Sequence, residues 1–323
     1  MSSIPFGDFS RLEGRRLLIT GGGGFIGSHA VARLCALGCE VRVFDSAPSS
    51  AGQRAGVDER QGDILNLEEL IDAADDCDGI VHLAGVSRVR DGIEDPLKCI
   101  GINVMGTANV LEAARLSGRN PVIVLASSEE VAITPTGAYG FSNLYGITKA
   151  SAELCARRFA SDFSQRTLAL RFSAVYGSDR DRPDKVPAVF VRQALAGAPI
   201  TVNGQAGLFD FIHIEDIVDA LVLGLSHLDN CTPGYYMGLP ICSGQSMSLA
   251  AAARMIVEIL ESASSVTVDP PEDGGNDNIR NDPAPAKNSI GFSAAISFAD
   301  GIRKFAAQLT ASGDGKKARG AAG

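Results

Sequence analysis

The segment "LLITGGGGFIGSHAVARL" constrains this chain more than any other: Gly21, Gly24 and Gly27 fall at three-residue spacing between an apolar strand-like run and an amphipathic helical pattern. Glycine permits a tight turn, lets backbone approach a bulky anion, and lets the following helix pack closely on the strand. The helix N-terminus adds unpaired N–H groups and a partial positive charge, so such a turn holds a pyrophosphate by local geometry. Local geometry is what this chain needs, because its formal net charge is −9. That balance argues against nucleic acid as a partner, since phosphate neutralisation requires a basic face.

The turn sits in a repeating context. "RRLLIT", "EVRVFD", "GIVHLAG", "PVIVLAS" and "TLALRFSAVYG" alternate with helical patterns, which predicts βαβ units and an α/β fold with a doubly wound (Rossmann) parallel sheet of about seven strands. A hydrophobic content of 45% supports a large buried core. After Gly177 the rhythm breaks into "SDRDRPDKVP", a helix, short strands near "PITVNG" and "LFDFIHI", and a final Ala-rich helix. We therefore expect a dinucleotide-binding domain over 1–177, a smaller substrate-binding lobe over 178–312 interleaved with the last strands, and a disordered tail over 313–323. The first twenty residues lack a continuous apolar run, and no run of about eighteen apolar residues occurs elsewhere, so the expectation is a cytoplasmic protein without membrane association. Seven scattered cysteines suggest neither a disulfide framework nor a metal site; Cys35 and Cys39, four apart on a predicted helix, read as small core residues.

Asp45 ends the second predicted strand, eighteen residues beyond Gly27 and close to the interval of about 20 at which an acid receives the ribose hydroxyls. A carboxylate there repels a 2′-phosphate, so NAD is favoured over NADP; Arg42 and Ser46 nearby do not make the basic cluster that NADP wants. Tyr145 and Lys149 stand four apart on a predicted helix, hence on one face. An ammonium beside a phenol favours the phenolate and lowers its pKa from about 10, which would make Tyr145 a general base.

Together, "TGGGGFIGSH", Gly62-Asp63, "VHLAG", "NVMGTANVLEAA", "YGITK", "LRFSAVYG" and "FIHIEDI" resemble the extended short-chain dehydrogenase/reductases, specifically the NAD-dependent nucleotide-sugar epimerase/dehydratase group, from Arg15 to about Phe305. The resemblance implies a cofactor site of Gly21, Gly24, Phe25, Ile26, Gly27, Asp45, Asp63, Ile64, Leu83, Ala84, Gly85, Tyr145, Lys149 and Phe172. It implies catalysis by Tyr145 and Lys149 with the hydroxyl of Ser128, whose register is set by Val131. In 4,6-dehydratases the two residues before that Val are an acid and a base; here they are Glu129 and Glu130, and a solvated turn is the competing reading. The resemblance also implies a substrate side of Ser87, Arg88, Ala174, Val186, Arg192, Thr201, Asn203 and Arg280, a nucleotide-diphosphate sugar as partner, and a homodimer.

Three positions depart from the family. Ala174 replaces the usual Asn, Phe209 replaces a phosphate-binding Arg, and "PPEDGGNDNIR" replaces an Arg-Pro-Gly-Asp segment. Arg88, Arg180, Arg182, Lys185 and Arg192 are candidate substitutes, because Arg forks bind phosphate from several directions. Dehydration across C5 and C6 after oxidation at C4 is the leading expectation, 4-epimerisation the runner-up. A silent dinucleotide-binding sensor and a reductase of a small non-sugar carbonyl compound are the readings from other classes.

Overall fold

The structure is a computed structural model that describes residues 9–47, 54–131, 143–203, 207–269 and 281–311. The expected tail over 313–323 and Arg280 lie outside the described residues. From the N-terminal side the chain runs through β1 (Arg16–Thr20), α1 (Phe25–Ala36), β2 (Glu40–Asp45), β3 (Val57–Gln61), α2 (Leu67–Ala74) and β4 (Gly79–His82). It continues through α3 (Val89–Glu94), α4 (Pro96–Ile100), a π-helical turn (Gly101–Gly106), α5 (Thr107–Leu116), β5 (Val122–Ser128), α6 (Leu144–Phe163) and β6 (Thr167–Phe172). Then come β7 (Ala174–Tyr176), α7 (Val186–Ala196), β8 (Ile200–Val202), β9 (Phe209–His213), α8 (Ile214–Leu228) and β10 (Tyr236–Ile241). The chain closes with β11 (Ser246–Met247), α9 (Leu249–Ile259), β12 (Val266–Val268), α10 (Ala284–Ile290) and α11 (Phe298–Ala311).

Two compact units share these elements. The first takes the described residues up to Phe172 together with Val218–Ile241 and Ala284–Phe292, so the chain returns to it after the single boundary at 177/178 that the composition suggests. Its sheet has seven parallel strands in the order β3-β2-β1-β4-β5-β6-β10. The order reverses beside β1, which makes the crevice between β1 and β4 the place where such sheets receive ligands. Central strands are apolar on both faces: Leu17, Leu18 and Ile19 of β1 and Ile123 and Val124 of β5 are all buried, as expected when helices cover both sides.

The edges look different. β3 reads "VDERQ" and buries only Val57; Arg42 of β2 pairs with its Asp58 at 2.6 Å. Charge on an edge strand discourages further pairing. Opposite, β10 carries Pro240, which a central strand would not tolerate. α1 stops at Ala36, and Gly38 follows with φ +80°, the left-handed position that commonly ends a helix. Cys39 therefore does not share a helix with Cys35 as expected; it is buried just before β2, where its thiol donates to the Leu12 carbonyl at 3.2 Å.

The second unit pairs β7 with β9 in parallel and β9 with β11 antiparallel, and separately pairs β8 with β12. Its core gathers Tyr176, Phe211, Phe298, Ile302 and Phe305. Gly301 leaves room for the Tyr176 hydroxyl, which a Cβ there would meet at 2.1 Å.

His82, at the end of β4, ties three elements of the first unit together. Thr107 donates to the Asn103 carbonyl at 2.7 Å, so His82 Nε2–H donates to the Thr107 oxygen at 3.1 Å and Nδ1 accepts from Thr20 at 2.6 Å. This is a neutral imidazole. Burial, with the Lys149 charge, lowers its pKa from 6.5 to about 3. Between those values the unfolded chain holds the extra proton, so the His82 contribution is whole above pH 6.5 and is lost as pH falls toward 3. Each unit below 6.5 should cost up to about 1.4 kcal/mol. Denaturant titrations at stepped pH should show that slope in the wild type and a flatter one in His82→Gln; equal slopes would place the proton elsewhere.

Candidate active site

The turn after β1 is built from backbone contacts that exclude a side chain. Gly21 has φ +73°, and a Cβ on it would lie 2.6 Å from the Ala84 nitrogen; one on Gly27 would lie 2.1 Å from the Gly21 carbonyl oxygen. The exits of β1 and β4 and the start of α1 are thereby pressed together. Gly24 caps α1 without any side-chain bond, so the first N–H groups of the helix, beginning at Phe25 and Ile26, have no intrahelical partner. Asp45 holds its carboxylate at the end of β2 beside this turn, accepting from Gly23 N–H at 2.9 Å and Ala47 N–H at 3.0 Å. Arg42 is not available to a 2′-phosphate: it is buried on Asp58 and the carbonyls of Ala73 and Asp75. Arg54, which the sequence did not single out, braces the Gly22 carbonyl at 3.3 Å, and its charge is met by Glu59 at 2.6 Å. The arrangement fits a dinucleotide whose ribose hydroxyls meet Asp45.

Beyond the turn, Asp63 shapes the loop before α2, accepting from Leu65 N–H at 2.9 Å, while the buried Ile64 packs on Gly106. Leu83 follows β4 with its N–H on the Thr20 carbonyl at 3.0 Å. Asn103 clamps the next residues, accepting from Val86 N–H at 2.8 Å and donating to the Val86 carbonyl at 3.2 Å. A Cβ on Gly85 would lie 3.0 Å from its Oδ1 and 3.4 Å from Lys149 Nζ. Lys149 thus reaches the same strip of backbone as the glycine turn.

The start of α6 delivers Tyr145. Asn143 caps the helix, accepting from Gly146 N–H at 2.8 Å, and donates its amide to Glu130 Oε2 at 2.7 Å. Gly146 allows the Glu130 carbonyl to press on this first turn, where a Cβ would meet it at 2.6 Å. The buried Tyr145 phenol hydrogen-bonds the Ser128 side chain, whose oxygen also accepts from Glu130 N–H at 3.2 Å. Glu129 N–H donates to the carbonyl of Phe172, the register partner of Ser128 on β6. Ser128, Glu130 and Tyr145 are thus brought together, with Lys149 one turn on.

Electrostatics modify the expectation for this pair. Burial pushes the Tyr145 phenol well above its ordinary value; the Ser128 bond opposes this, and Glu130, Cys99 and Glu129 add to it. Burial also lowers the Lys149 ammonium to about 8, opposed by Cys99 and Glu153. Lys149 donates to the Ala126 carbonyl at 3.1 Å, and the expected lowering of the phenol is not found: burial raises it instead.

On the substrate side, Ser87 is exposed in the loop after β4, and Arg88 is held by Asp91, with Nε at 3.0 and 3.1 Å from its two oxygens. Ala174, Val186, Arg192, Thr201 and Asn203 belong to the second unit. There Thr201 shares a hydrogen bond with Thr267 at 3.3 Å, and Lys185 pairs with Asp181 at 3.1 Å. Arg192 Nη1 is buried and has no hydrogen-bond partner among the described residues. The sequence reading missed Asn103, Asn143 and Glu153; an Asn directly before a helical pattern is a capping signal that would have found Asn143.

A dinucleotide turn, an acid on the second strand, and a Ser with a Tyr-x-x-x-Lys pair define an NAD-dependent enzyme of the short-chain dehydrogenase type. Residues 17–237 match the family model described as the NAD dependent epimerase/dehydratase family, and the chain belongs to that family. A UDP-glucose 4-epimerase of Lactobacillus helveticus is 28% identical over 313 residues, covering 86% of this chain and 91% of its own. UDP-glucuronic acid decarboxylase 1 of Danio rerio is 26% identical over 318 residues, covering 93% and 74%. Among solved structures, a double mutant of DesIV, the dTDP-glucose 4,6-dehydratase of Streptomyces venezuelae, with NAD bound, matches with a TM-score of 0.79 at 25% identity, covering 93% of this chain and 98% of that one. NAD is the cofactor, and no helix among the described residues is long and apolar enough to cross a membrane.

Asp45→Asn tests the cofactor choice. Calorimetric titration should show the wild type binding NAD far more tightly than NADP, and the variant should narrow that gap by about tenfold or more, because one repulsive charge is removed. Equal affinities in the wild type would overturn the assignment.

Proposed function

We propose that this enzyme acts on a UDP-linked sugar by oxidation at C4 followed by loss of water across C5 and C6. The observation that carries the reading is the cluster at the end of β5: a phenol bonded to Ser128, with the Glu130 carboxylate close enough to raise the phenol. When bound, NAD would accept the hydride from C4 and return it to C6 after water has left, with C5 taking back a proton from solvent, so that the cofactor ends oxidised as it began. Tyr145 takes the proton of the C4 hydroxyl, Ser128 orients that oxygen, and the Lys149 charge favours the phenolate. With C4 at the ketone level the C5 proton is acidic; Glu130 removes it, and Glu129 delivers a proton to the departing C6 hydroxyl.

A second reading, 4-epimerisation, draws on the Asn143 amide that ties Glu130 to the α6 cap and on the epimerases among the relatives. The reaction run in deuterated water with candidate UDP-sugars separates the two. Water loss, or deuterium entry at C5 that disappears in Glu130→Gln, is the expected outcome; a C4-inverted product with C5 unexchanged would leave Glu130 as a helix anchor. Tyr145→Phe should lower turnover by about 10² to 10⁴-fold with NAD binding nearly intact, as for deletion of one general base.

Seven free cysteines suit the reducing cytoplasm. We further propose a homodimer through the helices of the first unit. Leu97, Met105 and Leu116 on one stretch and Ile147 and Leu154 on α6 are apolar and exposed, Leu97 at 79%, and pairing of these helices with a second copy would bury them. Light scattering should give twice the monomer mass for the wild type and monomer mass for Leu97→Asp with Leu154→Asp; a monomeric wild type would refute it.

A further inference from the structure

Tyr145, Lys149 and Glu153 follow each other at four-residue spacing on α6 and so share a face. Glu153 is 4% exposed, a depth at which a carboxylate is tolerated only when its oxygens are fully met. Each oxygen takes two hydrogen bonds. Oε1 accepts from the Ser127 hydroxyl at 2.5 Å and from Arg171 Nε at 2.9 Å. Oε2 accepts from Arg171 Nη2 at 2.6 Å and from the Tyr236 hydroxyl at 2.9 Å. Ser127 and Arg171 are register partners on β5 and β6, and Tyr236 stands on β10. One side chain thereby fastens α6 to three adjacent strands. Gly238 makes room for the pair, since a Cβ there would lie 2.9 Å from Arg171 Nη2 and 3.1 Å from Glu153 Oε2.

We propose that Glu153 is a positioning residue: its carboxylate locks the end of β5 against α6 so that Ser128 meets the Tyr145 phenol, and it stands as the counter-charge one turn from Lys149 on the same face of α6. The consequence for turnover rests on the function proposed above; the consequence for Lys149 does not. Among the described residues, Cys99 on α4 and Glu153 on α6 act on Lys149, the neutral His82 on β4 feels its charge, Tyr145 stands one turn away on α6, and Arg171 on β6 is the cation paired with Glu153. Burial favours the neutral amine, and Glu153 and Cys99 oppose it. Of the two, Glu153 is the one that helix geometry places a single turn from Lys149 on the same face.

The test is competitive labelling of Lys149 with an amine-reactive reagent across pH, read by mass spectrometry, which needs neither cofactor nor substrate. The wild-type midpoint is expected near the value of about 8 that burial sets. Glu153→Gln should move it down by about half a unit or more, a roughly threefold gain in reactivity at pH 7, whereas Arg171→Lys, which breaks the two-pronged fork but keeps a cation on the carboxylate, should leave it in place. A purely structural role breaks the same pair in both variants and moves both midpoints the same way, which would overturn the proposal. If the unpaired Arg171 prevents Glu153→Gln from folding, the double variant Glu153→Gln with Arg171→Met removes both charges; a midpoint below the wild type supports the proposal and one at or above it refutes it. A shifted midpoint in a protein that turns over no nucleotide sugar would sink the proposed function and leave this inference standing.

Discussion

The first unit depends on one contact in which there is no room for a side chain. The Gly27 α-carbon lies so close to the Gly21 carbonyl that an added Cβ would overlap it at 2.1 Å, and one on Gly21 would lie 2.6 Å from the Ala84 nitrogen beyond β4. This packing aims the first turn of α1 at the crevice between β1 and β4, where the strand order reverses. It also solves an electrostatic problem. A chain of net charge −9 has no general attraction for an anionic cofactor, so the attraction has to come from oriented N–H groups that act over one helical turn.

The proposed chemistry depends on a second balance, between burial and charge. Burial by itself favours the neutral phenol of Tyr145 and the neutral amine of Lys149. A base buried in the position of Tyr145 would have to be drawn out by positive charge, which Lys149 carries one turn on. The carboxylates split their effects: Glu129 and Glu130 hold the phenol up, while Glu153 holds the ammonium on. The side chains that bound this site therefore work against each other, which leaves the proton affinity of Tyr145 responsive to what enters.

Much of this was legible in the sequence because it is written in short spacings. The glycine turn, Asp45 and Tyr-x-x-x-Lys are each set by one turn or one strand, and local rules reach that far. The edge strands were not legible. β3 as "VDERQ" has almost no apolar signal, and β10 contains Gly238 and Pro240, both of which speak against a strand until its edge position and the Glu153–Arg171 pair beside it are known. The pairings that place the catalytic residues are also long-range: Asn143 reaches back 13 positions to Glu130, and Arg171 reaches 18 to Glu153. No periodicity encodes such a bond. The end of α1 was misread for a local reason, since helical spacing from Cys35 to Cys39 runs through Gly38, whose left-handed backbone stops the helix first.

The Glu129-Glu130 pair shows where spacing stops being informative. Two carboxylates at a strand end read equally as chemistry or as a solvated turn, and the structure adds a third role, since Glu130 accepts the amide of the residue that caps the catalytic helix. In that bond the amide donates and the carboxylate accepts, an arrangement that suits a base and an anchor equally. What separates the roles is the second oxygen: the Asn143 bond engages Oε2, and a carboxylate fixed through one oxygen presents the other in a defined direction. The helix cap and the proposed base are therefore compatible in one side chain, and the same bond that orients Tyr145 through the start of α6 would orient the group that acts after it.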